Sequence, residues 1–298
     1  MSPPAHRQAG RSWLFVPAGS ASKLARAGQG SAYRLILDLE DGVGPLPEHK
    51  QVARANMRVW LGAHPAQAAR VFVRINALGS PFVADDVRTA VVAGAAGVVL
   101  PKCEGPADVQ RLGALLDDAE AAAGAPSGCT GIVAIVTETA RGVQCLPDFR
   151  EPLPRLRGLM WGAEDLCTDL QGSTNHDPAT GRLLGPYRHA RDACLIAARA
   201  CGAQPIDAVY TAFRDESGLR RECAEHRTLG FGHKAAIHPA QVAVIDATFE
   251  PDAQERAWAE TVVRAFDGTA GGVAQLDGRM LDMPHLRRAR QILGMDGS

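Results

Sequence analysis

No two of the seven cysteines, at positions 103, 129, 145, 167, 194, 201 and 223, form a CxxC pair, and their number is odd. That pattern excludes a disulfide framework and a zinc cluster, and it fits reduced, mostly buried thiols in a reducing compartment. Packing is the default role for Cys103 and Cys167, although both lie near strand ends. The opening segment MSPPAHRQAGRS has no apolar core of the signal-peptide kind, and no apolar run is long enough to span a bilayer. The expected location is therefore the cytoplasm. A formal net charge of -1, with no basic stripe, speaks against a nucleic-acid partner. Neither GxxxxGK[ST] nor GxSxG occurs, and Gly28-Gln29-Gly30 lacks the third glycine of a dinucleotide fingerprint and precedes a strand. His176, His233 and His238 form no HxxxH on a helix and no Cys/His pairing, so structural or solvated roles are expected for them.

What is present is the composition of an ordinary globular protein, 46% hydrophobic and 22% charged over 298 residues. Strand-like runs recur at Trp13–Val16, Leu35–Leu39, Val71–Ile75, Gly97–Pro101, Ile132–Thr137, Leu159–Gly162, Gln204–Val209 and Lys234–Ile237. Their starts are spaced by about 32 residues, the size of a βα unit. Helical periodicity fills the intervals: Val109, Leu112, Leu115, Leu116 and Ala119 share one face, as do Ala190, Ala193, Cys194, Ala197 and Cys201. Pro239 stands where a first helical turn tolerates proline. Eight strands alternating with helices predict a (β/α)8 TIM barrel of the α/β class over residues 11–250, with chemistry at the C-terminal strand ends.

Those ends are rich in polar residues: Asp38-Leu39-Glu40-Asp41-Gly42, Arg74-Ile75-Asn76, Pro101-Lys102, Thr137-Glu138 and Gly162-Ala163-Glu164-Asp165, with Asp207 on strand seven. Two apolar runs close on acids, Glu138 and Asp165, and in a parallel sheet the two carboxylates converge. A pair of hard oxygen ligands with nothing softer nearby suits Mg2+. The alternative is that both are merely helix-start residues after strands. Beyond the barrel, residues 251–298 hold a helical stretch, Asp252–Phe266, a flexible break at Gly268–Gly272 and a last helical pattern through Leu286, Ala289, Ile292 and Leu293. This makes a candidate C-terminal lid; the alternative is a helix that docks on the barrel.

The strings RSWLFVPAGSASKL, LILDLEDGV, VFVRINALGSPF, GVVLPKCEG, IVAIVTETARGV, LMWGAEDLCTDL, KAAIHPAQV and DGRMLDMPHLRRA resemble, in order from Arg11 to Ile292, the motifs of the citrate lyase beta-subunit-like branch of the aldolase/citrate lyase family. The resemblance implies a homotrimer or a multiple of trimers that makes or breaks a carbon–carbon bond next to a coenzyme A thioester with Mg2+. It implies Glu138 and Asp165 as the metal ligands, with Arg74 fixing the substrate's carboxylate or keto oxygen. Glu40 and Asp41 would order metal waters or Arg74, and Gly162, Ala163, Glu164 and Lys102 would line the substrate site. Asp282, reaching a neighbouring subunit, would be the acid/base. Lys23 and Arg26 would hold the phosphates of coenzyme A.

The chain departs from the pattern at Tyr33, where an acid is common, at Gly42, where alanine is common, and at Arg26, where lysine is usual. The expected reaction interconverts a 3-hydroxyacyl-CoA with a 2-oxo acid and acetyl-CoA. A pyruvate-type aldolase without coenzyme A, a carrier-bound lyase subunit working only inside a larger complex, or a malyl-CoA thioesterase or malate-synthase-like variant is the alternative. The loop 171–185, with Ser173, Asn175, His176 and Asp177, is expected to shape substrate choice.

Overall fold

The computed structural model describes residues 10–267, 272–276 and 278–295. The chain divides into two compact units, Met1–Phe249 and Glu250–Ser298. In the first, eight parallel strands close into a barrel in sequence order: β1 (Ser12–Pro17), β2 (Arg34–Asp38), β3 (Val71–Arg74), β4 (Gly97–Leu100), β5 (Gly131–Ile135), β6 (Leu156–Met160), β7 (Gln204–Asp207) and β8 (His233–Ala236). β8 pairs back onto β1 through Trp13 beside Ala235. Between and after them run α1 (Ala21–Gly28), α2 (Pro47–Ala63), α3 (Val83–Val92), α4 (Pro106–Ala123), α5 (Ala140–Cys145), α6 (Glu164–Asp169), α7 (Gly185–Ala200), α8 (Glu216–Leu229) and α9 (Pro239–Phe249).

Strand alternation sorts the core into two layers. Trp13, Ile36, Phe72, Val99, Val133, Met160, Ile206 and Ala235 pack together as one cluster inside the barrel. Their neighbours Leu14, Leu35, Leu37, Val71, Val73, Val98, Leu100 and Leu159 join the helices in another. A residue's phase on its strand therefore decides which layer it enters. Asp38 and Arg74 share the phase of Ile36 and Phe72, whereas Asp207 and Lys234 fall in the outer phase.

β6 starts at Leu156, three residues ahead of the apolar run read from the sequence. The left-handed backbone of Arg155 (φ 66°) turns the chain there, and exposed Arg157 and small Gly158 mask the strand's pattern.

The second unit holds α10 (Ala253–Phe266), an antiparallel hairpin of β9 (Val273–Leu276) and β10 (Arg279–Asp282), and α11 (Met283–Leu293). Ala259, Val262, Ala274, Leu281 and Ala289 form its core. The stretch between the two expected helical patterns, left without an assignment, thus holds a hairpin, whose turn includes Gly278 at φ 74°. Of the expected Gly268–Gly272 break, all but Gly272 lies outside the described residues. Asp252 caps α10 in a reciprocal capping box with Glu255.

Candidate active site

The rim is built first by holding the loop after β2. Asp38, at the strand's last position, accepts the backbone N–H of Glu40 and of Gly42, each at 2.9 Å. A Cβ at position 42 would lie 2.3 Å from Asp38 Oδ2, so the turn as built has no room for a side chain there. The buried ammonium of Lys50 on α2 staples the same loop, donating to the carbonyls of Leu39 at 2.8 Å and Glu40 at 2.7 Å. Asn76 adds a bond to the Leu39 carbonyl at 3.1 Å.

This framework fixes Arg74. Its Nε and Nη2 grip the two oxygens of Asp38 at 2.8 and 2.7 Å, and its Nη1 meets Glu40 Oε2 at 3.0 Å. Phe15 lies under the guanidinium, 5.0 Å from ring centroid to Cζ. The bidentate partner of Arg74 is therefore Asp38, which the sequence reading left without a role. Two of the five N–H donors of Arg74 are hydrogen-bonded, both to Asp38, and its contact with Glu40 is an ion pair.

Lys102 follows β4 with a left-handed backbone (φ 50°). That conformation aims its N–H at Glu138 Oε2, at 2.5 Å, while its ammonium binds Glu40 and lies 3.5 Å from Asp41 and 3.9 Å from Asp165. Glu138 is buried, and burial pushes its carboxyl up to about 8; the Lys102 N–H opposes this, and the carboxylates of Asp165 and Glu40 reinforce it. Burial likewise raises Glu40, against the pull of Arg74 and Lys102.

Gly162 makes room for Glu138, since a Cβ there would stand 3.1 Å from Glu138 Cγ. Thr137 stitches β5 to β6, accepting the Gly162 N–H at 2.8 Å. A small opening of about 90 Å³ is lined by Phe15, Arg74, Glu138, Gly162, Ala163, Glu164 and Asp165, among others.

The structure thus gathers Glu40, Arg74, Lys102, Glu138, Gly162, Ala163, Glu164 and Asp165 at one mouth. Asp165 does occupy the first turn of α6, so a helix-start position and a place in the mouth coexist. Asp41 stands apart from Glu40, its side chain 60% exposed. Glu164 is engaged from the side by Asn175, whose Nδ2 donates to it at 2.8 Å, tying the loop 171–185 to the rim. Lys23 and Arg26 are exposed on α1. Asp282 belongs to the second unit, where its Oδ1 lies 2.5 Å from His285 Nδ1 ahead of α11.

Asp207 is not a rim residue. It is fully buried on the outer face of β7, accepting from Trp161 Nε1 at 2.7 Å, from Lys234 Nζ at 2.6 Å and from His226 Nδ1 at 2.8 Å. Asp207, Glu222 and His226 are close enough to suggest a metal cluster. Lys234 Nζ, 2.6 Å from Asp207 and 2.7 Å from Glu222, already fills that place with a cation. His233 is buried between Tyr33, stacked at 5.5 Å, and Trp13. Cys103 is buried and its thiol is pushed by burial up to about 12, as packing requires.

A closed parallel barrel with acids and a clamped arginine at its C-terminal mouth defines a (β/α)8 enzyme. The chain matches the HpcH/HpaI aldolase/citrate lyase model over residues 11–239, and it belongs to that family and to the lyase class. It is 35% identical over 291 residues to a citrate lyase subunit beta-like protein of Mycobacterium tuberculosis, covering 98% of this chain and 97% of the relative. It is 32% identical over 290 residues to a (3S)-malyl-CoA thioesterase of Cereibacter sphaeroides, covering 95% and 93%. Among solved structures, the Mycobacterium tuberculosis protein CitE in complex with magnesium, acetoacetate and coenzyme A is similar with a TM-score of 0.78 and 35% identity, covering 97% of this chain and 99% of that one. Among the described residues, no helix is long and apolar enough to cross a membrane.

Proposed function

We propose that this chain is a Mg2+-dependent carbon–carbon lyase that interconverts a 3-hydroxyacyl-CoA with a 2-oxo acid and acetyl-CoA. The observation that carries the reading is Glu138: a buried carboxyl, driven toward its neutral form beside a second carboxylate, in a mouth whose nearby donors are all oxygen. That donor set fits a hard divalent cation, held by Glu138 and Asp165. Bound there, Mg2+ would supply Lewis-acid polarisation of the forming keto group.

The chain's own residues do the rest. Arg74, kept rigid by Asp38 and Glu40, presents its remaining N–H donors to the oxyanion that develops as the bond breaks. Lys102 holds Glu138 through its backbone and Glu40 through its ammonium, so the acids keep their spacing without substrate. Asn175 restrains Glu164 and gives the loop 171–185 a means of shaping the site for one acyl group. Asp282, in a lid supplied by a neighbouring subunit of a trimer, would move the proton at the thioester α-carbon. Lys23 and Arg26, exposed on α1, would meet the phosphates of coenzyme A. The similarity to a thioesterase supports a second reading, in which hydrolysis follows the carbon–carbon step.

The test is to incubate the full chain with Mg2+ and malyl-, citramalyl-, 3-methylmalyl- or citryl-CoA and to measure keto acid against free thiol. Keto acid without thiol supports the lyase, and free thiol without keto acid, the thioester being hydrolysed to its hydroxy acid, supports the second reading. If no member of the panel releases keto acid, the proposal fails. Asp282→Asn is expected to slow hydrogen exchange at the acetyl-CoA methyl at least about tenfold, following the usual contribution of a general base. An unchanged exchange rate would leave Asp282 without that role.

A further inference from the structure

A second and larger cleft, about 430 Å³, lies outside the rim, between the loop 171–185, α7 and α8. Four arginines line it: Arg182, Arg188, Arg191 and Arg221. Its three acids are already engaged. Asp215 accepts from Tyr210 Oη, Ser217 Oγ and the Gly218 N–H, each at 2.9 Å. Glu222 is held by the buried Lys234 at 2.7 Å, and Glu225 lies 3.5 Å from Arg191. Arg182 and Arg188 are exposed, and among the described residues their side chains have no hydrogen-bond or ion-pair partner.

The floor is more specific. Arg191 has a side chain only 5% exposed, with Nε on Asp192 at 2.9 Å and Nη1 on His226 Nε2 at 2.8 Å. A guanidinium only donates, so Nε2 accepts and the His226 proton sits on Nδ1, facing Asp207. Nη2 of Arg191 has no partner among the described residues, so a buried cation keeps two N–H donors open in the wall of a cleft with surplus positive charge. An oxyanion that takes the place of water on this cation gains a charge-assisted hydrogen bond.

We propose that this cleft is a binding site for a small polyanion, with Arg191 Nη2 as the deep donor and Arg182 and Arg188 as the clamp at the entrance. The ligand chemistry is an oxyanion that accepts from planar guanidinium groups, either a phosphate or a carboxylate. The site is separate from the rim, and it stands whether or not the lyase assignment does.

The experiment is calorimetric titration of the full chain at constant ionic strength with inorganic phosphate, pyrophosphate, succinate and tricarballylate, using chloride as the control. Saturable binding of either class is expected, and the stronger class identifies the chemistry. Arg182→Ser/Arg188→Ser, on the exposed face, should weaken it at least tenfold while leaving thermal unfolding unchanged. Arg191→Lys should weaken it further; if that variant is unfolded, the double variant decides. Heats no larger than those of chloride for all four anions, or equal affinity in the double variant, would overturn the proposal.

Discussion

Two buried glutamates in this barrel behave in opposite ways. At the N-terminal ends of the strands, Glu120 receives Arg155 through two nitrogens at 2.8 and 2.7 Å, and the backbone N–H groups of Thr130 and Gly128, each at 2.8 Å. The Arg155 bonds lead in holding its carboxyl far below the usual carboxylate range, against burial. At the C-terminal ends, Glu138 is just as hidden, yet it accepts one close backbone N–H and faces another acid, and its carboxyl is raised to about 8. The first cluster is saturated and structural; the second is left wanting positive charge, which marks it as the working end.

The sharpest way to break this contrast is to neutralise the second cluster. Glu138→Gln or Asp165→Asn is expected to lower lyase turnover about a thousandfold. Urea unfolding should show stability no lower than that of the parent, because like charges have been removed. Full turnover, or a collapse of stability, would place Glu138 in the same class as Glu120.

The next largest effect is the reverse. Glu120→Ala leaves Arg155 as a buried charge short of partners and should cost about 3 to 5 kcal/mol. Turnover per folded molecule should remain that of the parent. A loss below about 1 kcal/mol would show that the lower cluster is not structural.

A smaller effect separates the two ends by pH. Burial pushes His233 down to about 3, with nearby arginines adding to the shift. Below the ordinary histidine value of about 6.5, the unfolded chain binds a proton that the folded chain refuses. Stability should therefore fall as pH drops through the window from 6.5 to 3, by about 2 kcal/mol between pH 6.5 and 5 for this group alone. The Glu120 contribution starts to be lost only below about pH 4.3, whereas Glu138, raised to about 8, gains stability as pH falls from 7 to 5, so the His233 contribution is read as the difference between the parent and His233→Phe at those two pH values. Relative to the parent, His233→Phe should gain about 2 kcal/mol on going from pH 7 to pH 5, and a difference that does not change with pH would remove this role from His233.

Much of this was legible beforehand, and the residues show why. Leu35–Leu39 and Val71–Ile75 announce strands because burial on both faces demands continuous apolar runs. Glu138 and Asp165 were visible as acids closing such runs. Lys50 was not, because a lysine on a helix reads as solvated until its ammonium is found on three carbonyls. Asp38 was hidden for a similar reason: nothing in LDLED says which acid faces inward, and only the phase shared with Arg74 decides it. The Asp-Gly step at 277–278 carried a hairpin signal in a stretch left unassigned between two helical patterns. The cleft of Arg182, Arg188, Arg191 and Arg221 left no local trace, as its residues are spread over a loop and two helices.

The sequence by itself determined the eight barrel strands, their alternation with helices and the end of the barrel where polar residues collect, because these follow from periodicities within a few neighbouring residues. Only the tertiary structure decided that Arg74 takes Asp38 as its partner, that Asp207 turns away from the mouth, and that one buried glutamate is satisfied while another is not. Those outcomes depend on charges brought together across 20 to 60 positions of chain, and both their desolvation and their pairing arise when the barrel closes.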